Sequence, residues 1–261
     1  MIDLHSHVLP GIDDGPRDEA SALAMAQVAA AAGTTVLAAT PHVRADHPDV
    51  VPSEIRGRVA ALQALLDAEG VPLRIAPGAE IDLAEALALD DAELRSITLG
   101  ANGRDLLVES PWTPLPSIFT PALDALAARG FRVLLAHPEL SPTFQGRPDR
   151  LGRLVARGVL LQVTAANLIS SRRGIRRTAR LIVENGWGHV LASDAHSASW
   201  RPPDLAGGLE AARDALPHAA EQLEWMALEA PRAVLEGAEL PARPPVEQPP
   251  GGRLGRLLGR R

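Results

Sequence analysis

Short apolar stretches alternating with longer Ala- and Leu-rich segments predict an α/β domain built on parallel strands. Seven such units predict a closed or nearly closed barrel with its functional site at the C-terminal ends of the strands. A second observation points to the same end of the molecule: six of the seven stretches finish in, or lead directly into, a His, Asp or Glu. A third is size, since 261 residues that are 46% hydrophobic can bury a full core without staples or a partner.

In chain order the expected strands are 2–5, 35–40, 73–80, 105–109, 132–137, 159–165 and 189–194, each short, apolar and rich in β-branched residues. Helical spacing places helices over 17–32, 53–69, 118–129, 148–157, 174–185, 205–215 and 219–236. Pro16 near the start of the first helix and Gly33 just past its end are the punctuation a helix of that span requires. From Pro241 the composition turns to Pro, Gly and Arg, which cannot pack a core. The domain is therefore expected to occupy 1–240, with 241–261 as a flexible tail. The Arg- and Leu-rich stretch 253–261 offers contact with an acidic partner or anionic lipid, against the plainer reading of a solubilising tail.

Composition closes several routes. The chain has no Cys, hence no disulfide, no zinc-thiolate site and no thiol nucleophile. It also has no Lys, which removes a Schiff base and a carbamylated bridge. A net charge of −6 argues against a nucleic-acid binder with a broad basic face, and seven aromatics without a Tyr give few stacking platforms. No apolar run reaches the roughly 18 residues of a membrane helix, and the N-terminus opens without a signal-like region, so a cytoplasmic protein is expected.

The chemistry lies in a set of imidazoles and carboxylates: His5, His7, Asp14, His42, Glu80, Glu109, His137, Asp194 and His196. Residues i and i+2 of a strand point the same way, so His5 and His7 project together, and Asp194 and His196 can do likewise. Neighbouring first and last barrel strands then bring these pairs side by side. Such donors suit Mn, Fe, Zn or Mg, and nine are too many for one ion that keeps a position open for water, so two or three ions are expected. Three divalent ions against four carboxylates leave a charge of about +2, which selects an anion such as a phosphate monoester. Water activated by metal is then the leading nucleophile.

Several assignments stay open. Asp13 can replace Asp14 as a ligand, and either can instead cap the following helix. Asp3 is either an acid that orients a ligand imidazole or a buried structural one. Glu139 is ambiguous, and His47, His189 and His218 are read as structural or exposed. Arg44 and Arg201, on loops that overhang the mouth, are candidates to grip phosphate, while Trp112 and Trp200 either wall an aromatic leaving group or pack the rim.

The motifs Met1-Ile-Asp3-Leu-His5-Ser-His7, Asp13-Asp14-Gly15, His42, Gly78-Ala-Glu80, Glu109, His137-Pro-Glu139 and Ser193-Asp194-Ala-His196 with Arg201-Pro-Pro203 carry a resemblance over residues 1–237. The chain resembles the polymerase and histidinol phosphatase (PHP) family, and within it the capsule-associated bacterial CpsB/YwqE group of tyrosine phosphatases. That resemblance implies a distorted (β/α)7 barrel and a trinuclear centre usually discussed with Mn. It further implies hydrolysis of protein phosphotyrosine by metal-activated water, with the nine residues above as ligands and Arg44 and Arg201 near the phosphate. A tyrosine autokinase controlling capsule or exopolysaccharide export is the implied partner. The chain departs from the family's pattern at Leu140, where an Arg commonly meets the phosphate, and at Thr164-Ala-Ala, where the strand exit is commonly Asn-Ser-Ser.

The expected function is a metal-dependent phosphomonoesterase acting on protein phosphotyrosine. One alternative is a small-molecule phosphatase of the histidinol phosphate type, for which Leu140 would be an adaptation. The other is a non-catalytic, metal-holding module that binds phosphoproteins.

Overall fold

A computed structural model describes residues 1–246. The expected tail beyond Val246 lies outside the described residues.

Nine short parallel strands form two sheets. The first contains β1 (Ile2–Asp3), β2 (Val36–Ala39) and, beyond β3 (His42–Val43), β4 (Arg74–Pro77), in the order β1-β2-β4. The second runs β3-β5-β6-β7-β8-β9, where β5 is Glu80–Ile81, β6 Asp105–Glu109, β7 Arg132–Ala136, β8 Leu160–Thr164 and β9 Val190–Ala192. The expected strands 35–40 and 73–80 thus end early, and pairing resumes after a two-residue gap as His42↔Glu80. The interruption has a local cause. Pro41 has no N–H to offer a ladder. Beside it the chain is packed tightly at Gly78, where a Cβ would lie 3.1 Å from the Leu99 side chain and 3.3 Å from that of Thr40.

The first and last strands are also stitched together. Asp194 N–H donates to the His5 carbonyl at 3.0 Å, His7 N–H to that of Ala195 at 2.8 Å, and Ser6 bridges Ala195 in parallel. On the other side Thr40 N–H donates to the Ser6 carbonyl at 2.8 Å. Residues 5–7 therefore lie between the exits of β9 and β2. Asp3 reinforces this seam: fully buried, its Oδ1 accepts from Ser193 N–H at 3.1 Å and, more weakly, from His5 N–H at 3.4 Å.

Helices follow most strands. They include α1 (Glu19–Ala31), α2 (Ile55–Ala68), α3 (Leu83–Ala88), α4 (Asp91–Ser96), α5 (Phe119–Ala128), α6 (Pro142–Gly146), α7 (Asp149–Val155), α8 (Arg173–Glu184) and α9 (Leu205–Ala215). The first starts at Asp18, whose side chain accepts from Ser21 N–H, rather than at Pro16. Periodicity did not anticipate α3, α4 and α6, which are too short to show a helical period. The expected helix 219–236 is a composite of α10 (Ala220–Glu224), a π turn over Trp225–Glu229 and α11 (Ala230–Leu235). Pro231 explains the wide turn, because its ring clashes with the carbonyl of the preceding turn and supplies no N–H to it.

Two apolar clusters hold these elements. The larger lies between strands and helices. The smaller contains Leu4, Ala38, Ala76, Leu107, Leu134, Leu160 and Val190, one residue or more from each of the seven expected strand stretches. Their inner faces therefore meet in one place. Among the described residues no helix is long and apolar enough to cross a membrane.

Asp3→Ala should leave the N–H groups of buried His5 and part-buried Ser193 without their carboxylate partner, a loss of about 1–3 kcal/mol. Urea unfolding of the two proteins checks this, and an unchanged midpoint would remove Asp3 from the seam.

Candidate metal centre

All nine imidazoles and carboxylates singled out in the sequence meet at the strands' C-terminal ends. They form four overlapping groups, each with donor atoms within 4.8 Å of one another: His7, Asp14, His42 and His196; His5, His7 and Glu80; His5, His137 and Asp194; and His42, Glu80 and Glu109. Eight of the nine are buried, and Asp14 stands at the open side with its side chain half exposed.

Backbone geometry aims these groups. His5 and His7 flank the Ser6 bridge, and their rings lie 5.4 Å apart. His137 ends β7 with φ 32° and Asp194 follows β9 with φ 53°, both in the left-handed region. Holding such residues there costs about 1–2 kcal/mol each, and the turn swings their side chains inward. The loop carrying Asp13 and Asp14 presses against the first strand at Gly15, where a Cβ would sit 2.1 Å from the His7 carbonyl oxygen.

Glu80 is the hub. Its Oε2 lies 3.2 Å from His5 Nε2, 3.5 Å from His7 Nε2 and 3.1 Å from His42 Nδ1, and its Oε1 lies 2.8 Å from His137 Nε2. Burial alone would keep its carboxyl neutral, but His5 and His137 hold it well below the usual carboxylate range. Burial likewise lowers His7 and His137, yet Asp13 and Glu80 hold His7 protonated up to about 10, and Glu80 holds His137 up to about 9. His42, desolvated and facing the His7 cation, is pushed down to about 3. Burial and the Glu80 charge raise Glu109.

The residues present fit cations. His5 Nε2, His7 Nε2, His42 Nδ1 and both Glu80 oxygens are buried without a well-directed hydrogen bond, although each of the three nitrogens lies within 3.5 Å of Glu80 Oε2. Lone pairs that converge without sharing a proton in good geometry are what a positive ion between them would satisfy.

Around them stand groups that orient the imidazoles, as ligand histidines commonly require. Asp13 Oδ2 takes His7 Nδ1 at 2.8 Å and also accepts from His42 N–H at 3.2 Å, so the two neighbouring acids divide the work and Asp14 alone joins a donor group. Gln162 Oε1 takes His5 Nδ1 at 3.1 Å and His137 N–H at 2.9 Å. Sequence reasoning missed Gln162, although a lone amide amid the apolar residues of β8 was a readable signal. Asp3 reaches no imidazole and is the buried structural acid. Glu139 is turned away as well, accepting from Thr164 N–H and Asn167 Nδ2 at 2.9 Å.

The mouth residues also fall into place. Arg44 Nη1 donates to Glu109 at 2.8 Å, and Arg201 Nη2 to Asp194. The Trp112 indole donates to Glu109 Oε1 at 2.8 Å with its ring 5.9 Å from His137, and Trp200 lies 5.9 Å from His196. Both tryptophans are more than half exposed and line one cavity of about 600 Å³ with Leu140, Asn167 and Arg201. His189 lies elsewhere, accepting from Leu161 N–H at 3.1 Å, and His218 faces Glu184. His47 stacks on His42 at 5.2 Å.

The family that matches residues 1–236 is the capsular polysaccharide synthesis CpsB/CapC family. The chain belongs to it. Tyrosine-protein phosphatase YwqE of Bacillus subtilis is 30% identical over 202 residues, spanning 77% of this chain and 79% of that protein. Tyrosine-protein phosphatase CpsB of Streptococcus pneumoniae is 26% identical over 210 residues, 78% of this chain and 86% of that one. A chain from the crystal structures of YwqE from B. subtilis and CpsB from S. pneumoniae, described as metal-dependent tyrosine phosphatases, superposes with a TM-score of 0.82 at 28% identity. It covers 95% of this chain and 99% of its own length. The parallel α/β architecture is thus shared with that CpsB/CapC relative.

Asp13→Ala should weaken Mn binding about 10- to 100-fold by freeing the His7 ring. Calorimetric titration measures it, and wild-type affinity would exclude the orienting role. Since His7 and His137 hold protons at pH 7 without metal, Mn uptake should also release protons and weaken toward pH 6. Titrations in buffers of different ionisation enthalpy check this, and zero net release would contradict it.

Proposed function

We propose that this chain is a metal-dependent phosphomonoesterase that removes phosphate from phosphotyrosine on proteins. The observation that carries the reading is the convergence of nine imidazole and carboxylate groups beside a cavity flanked by two tryptophans and an arginine. In this reading His5, His7, Asp14, His42, Glu80, Glu109, His137, Asp194 and His196 hold two or three divalent ions, Mn ahead of Fe, Zn or Mg. Such ions lower the pKa of water and neutralise phosphate oxygens.

The chain's own groups supply the rest. Arg44 and Arg201 now pair with Glu109 and Asp194, two of the carboxylates that cations would also neutralise. With cations held by those carboxylates, the guanidinium groups of Arg44 and Arg201 would be free to clamp an anion. Asp14, held ionised by His196 despite partial burial, stands at the open side 3.7 Å from His42, where it can orient water. Trp112 and Trp200 offer faces to an aromatic leaving group. Leu140, where an Arg is common in the family, adds apolar wall instead of a further clamp.

The strand arrangement supports reading the fold as a distorted (β/α)7 barrel. Each of the seven stretches contributes to one inner cluster, and residues 5–7 pair with both the β9 and β2 exits. The relatives' names and the family's description support a phosphotyrosine protein linked to capsular polysaccharide synthesis as substrate, and a tyrosine autokinase of capsule or exopolysaccharide synthesis met in the cytoplasm is the partner this reading proposes.

Purified protein with Mn should hydrolyse a phosphotyrosine peptide. Chelation should abolish the activity, and His42→Ala should lower kcat/KM by about 100-fold or more. No turnover above His42→Ala would reject the reading. Leu140 gives one specific reason to weigh a small-metabolite substrate, and a higher kcat/KM on histidinol phosphate or a sugar phosphate than on the peptide would favour it.

A further inference from the structure

Beside the cavity of the metal centre lies a second cleft of about 430 Å³, floored by Phe119 and Phe144 and rimmed by Arg147, Arg150, Arg153 and Arg157. It belongs to a marked polarity of charge. Residues 145–183 hold nine of the chain's 26 basic residues but one of its 32 acids, Asp149, in a chain of net charge −6. Within the cleft, Asp149 answers Arg147 and Arg153, and Asp124 answers Arg157. Arg150 has no acid partner among the described residues, and neither has any of the five arginines at 172, 173, 176, 177 and 180 around α8. Three of those five donate to backbone carbonyls instead, Arg176 to Ser170, Arg177 to Gln145 and Arg180 to Leu168.

Cleft and cavity are neighbours along two segments. Trp112 lines the cavity and Leu115 the cleft, while Leu140 lines the cavity and Phe144 the cleft. Three residues of extended chain span at most roughly 11 Å, so the Trp112 and Leu115 sides are no farther apart than that. Basic residues continue across the gap. Arg172 lines the cavity, and Arg177 on the same helix reaches the Gln145 carbonyl, two residues before Arg147.

We propose that this cleft docks an acidic stretch of the polypeptide whose phosphorylated residue occupies the cavity. Asp and Glu side chains a few residues away are held by Arg147 and Arg150. The inference rests on the phosphatase reading for what fills the cavity. Guanidinium groups take carboxylates in paired hydrogen bonds, and a surplus of them around a concave floor selects a polypeptide with side chains that enter. A bilayer that touched the exposed rim arginines would bring no phosphorylated residue to the adjoining cavity.

Fluorescence anisotropy with the full chain tests the docking directly. The probes are a labelled, unphosphorylated peptide with Asp and Glu flanking a Tyr, and its counterpart with Asn and Gln. The acidic peptide should bind at least about tenfold tighter at low ionic strength, with the difference shrinking as salt screens it. Arg147→Glu with Arg150→Glu should erase the preference, and the Arg147→Gln, Arg150→Gln pair should reduce it. Both variants should hydrolyse p-nitrophenyl phosphate at the wild-type rate, which shows that fold and metal centre are intact. Equal affinity for the two peptides, or a preference that survives in the Glu variant, overturns the proposal. Binding to phosphatidylserine vesicles that the acidic peptide does not displace overturns it in favour of a membrane. Loss of p-nitrophenyl phosphate turnover in the wild type, with the peptide preference intact, would fail the phosphatase reading and leave the docking cleft standing.

Discussion

Glu80 is a fully buried carboxylate with four imidazoles within 3.5 Å of its two oxygens, and this arrangement constrains the rest of the molecule. A lone buried anion is costly enough that it would take up a proton, and here the surrounding positive charge keeps it ionised. The four histidines reach it from three different strand exits, so none of those exits can shift alone. Pairing of His42 with Glu80 across β3 and β5, and the bridge of Ser6 with Ala195, fix the distances that the charge balance demands. Stability and site geometry are the same set of contacts.

That economy explains where backbone strain is tolerated. His137 and Asp194 keep a left-handed conformation that a Gly would adopt more cheaply, yet Gly would bring neither imidazole nor carboxylate to the cluster. The strained positions are held from outside. Gln162 accepts from the His137 backbone N–H, and the Asp194 N–H donates into the first strand. Asp13 does similar duty on the opposite side, holding a His7 ring nitrogen and the His42 backbone together.

Much of this was legible in the sequence, because strands in this architecture carry donors at their exits and the exits face one another. The convergence of His5, His7, Glu80, Glu109, His137 and Asp194 follows from that rule alone. The orienting groups were harder to read. Asp13 and Asp14 are adjacent and chemically alike, and only the press of Gly15 against the His7 carbonyl decides which one turns toward the ring. Gln162 stands on the strand that ends without a donor, where an amide passes for a core polar residue until its two partners are seen. Helices such as α3 and α6 are set by caps and prolines over five or six residues, below the length at which a period is visible. Arg44 and Arg201 were placed at the mouth by loop position, but their pairing with Glu109 and Asp194 depends on distances that spacing along the chain does not carry.

The substitution at Leu140 then has a coherent physical setting. An Arg there would bring a third guanidinium to a mouth already served by Arg44 and Arg201, and it would displace part of the apolar wall between Trp112 and Ile169. Leu keeps that wall continuous. Basic charge is also concentrated at the neighbouring cleft, on Arg147, Arg150, Arg153 and Arg157, none of which pairs with a ligand carboxylate among the described residues. On the docking proposal, a cavity with apolar walls and a remote basic rim would discriminate among large acidic partners more than among small phosphate esters, since a small ester cannot touch both regions at once.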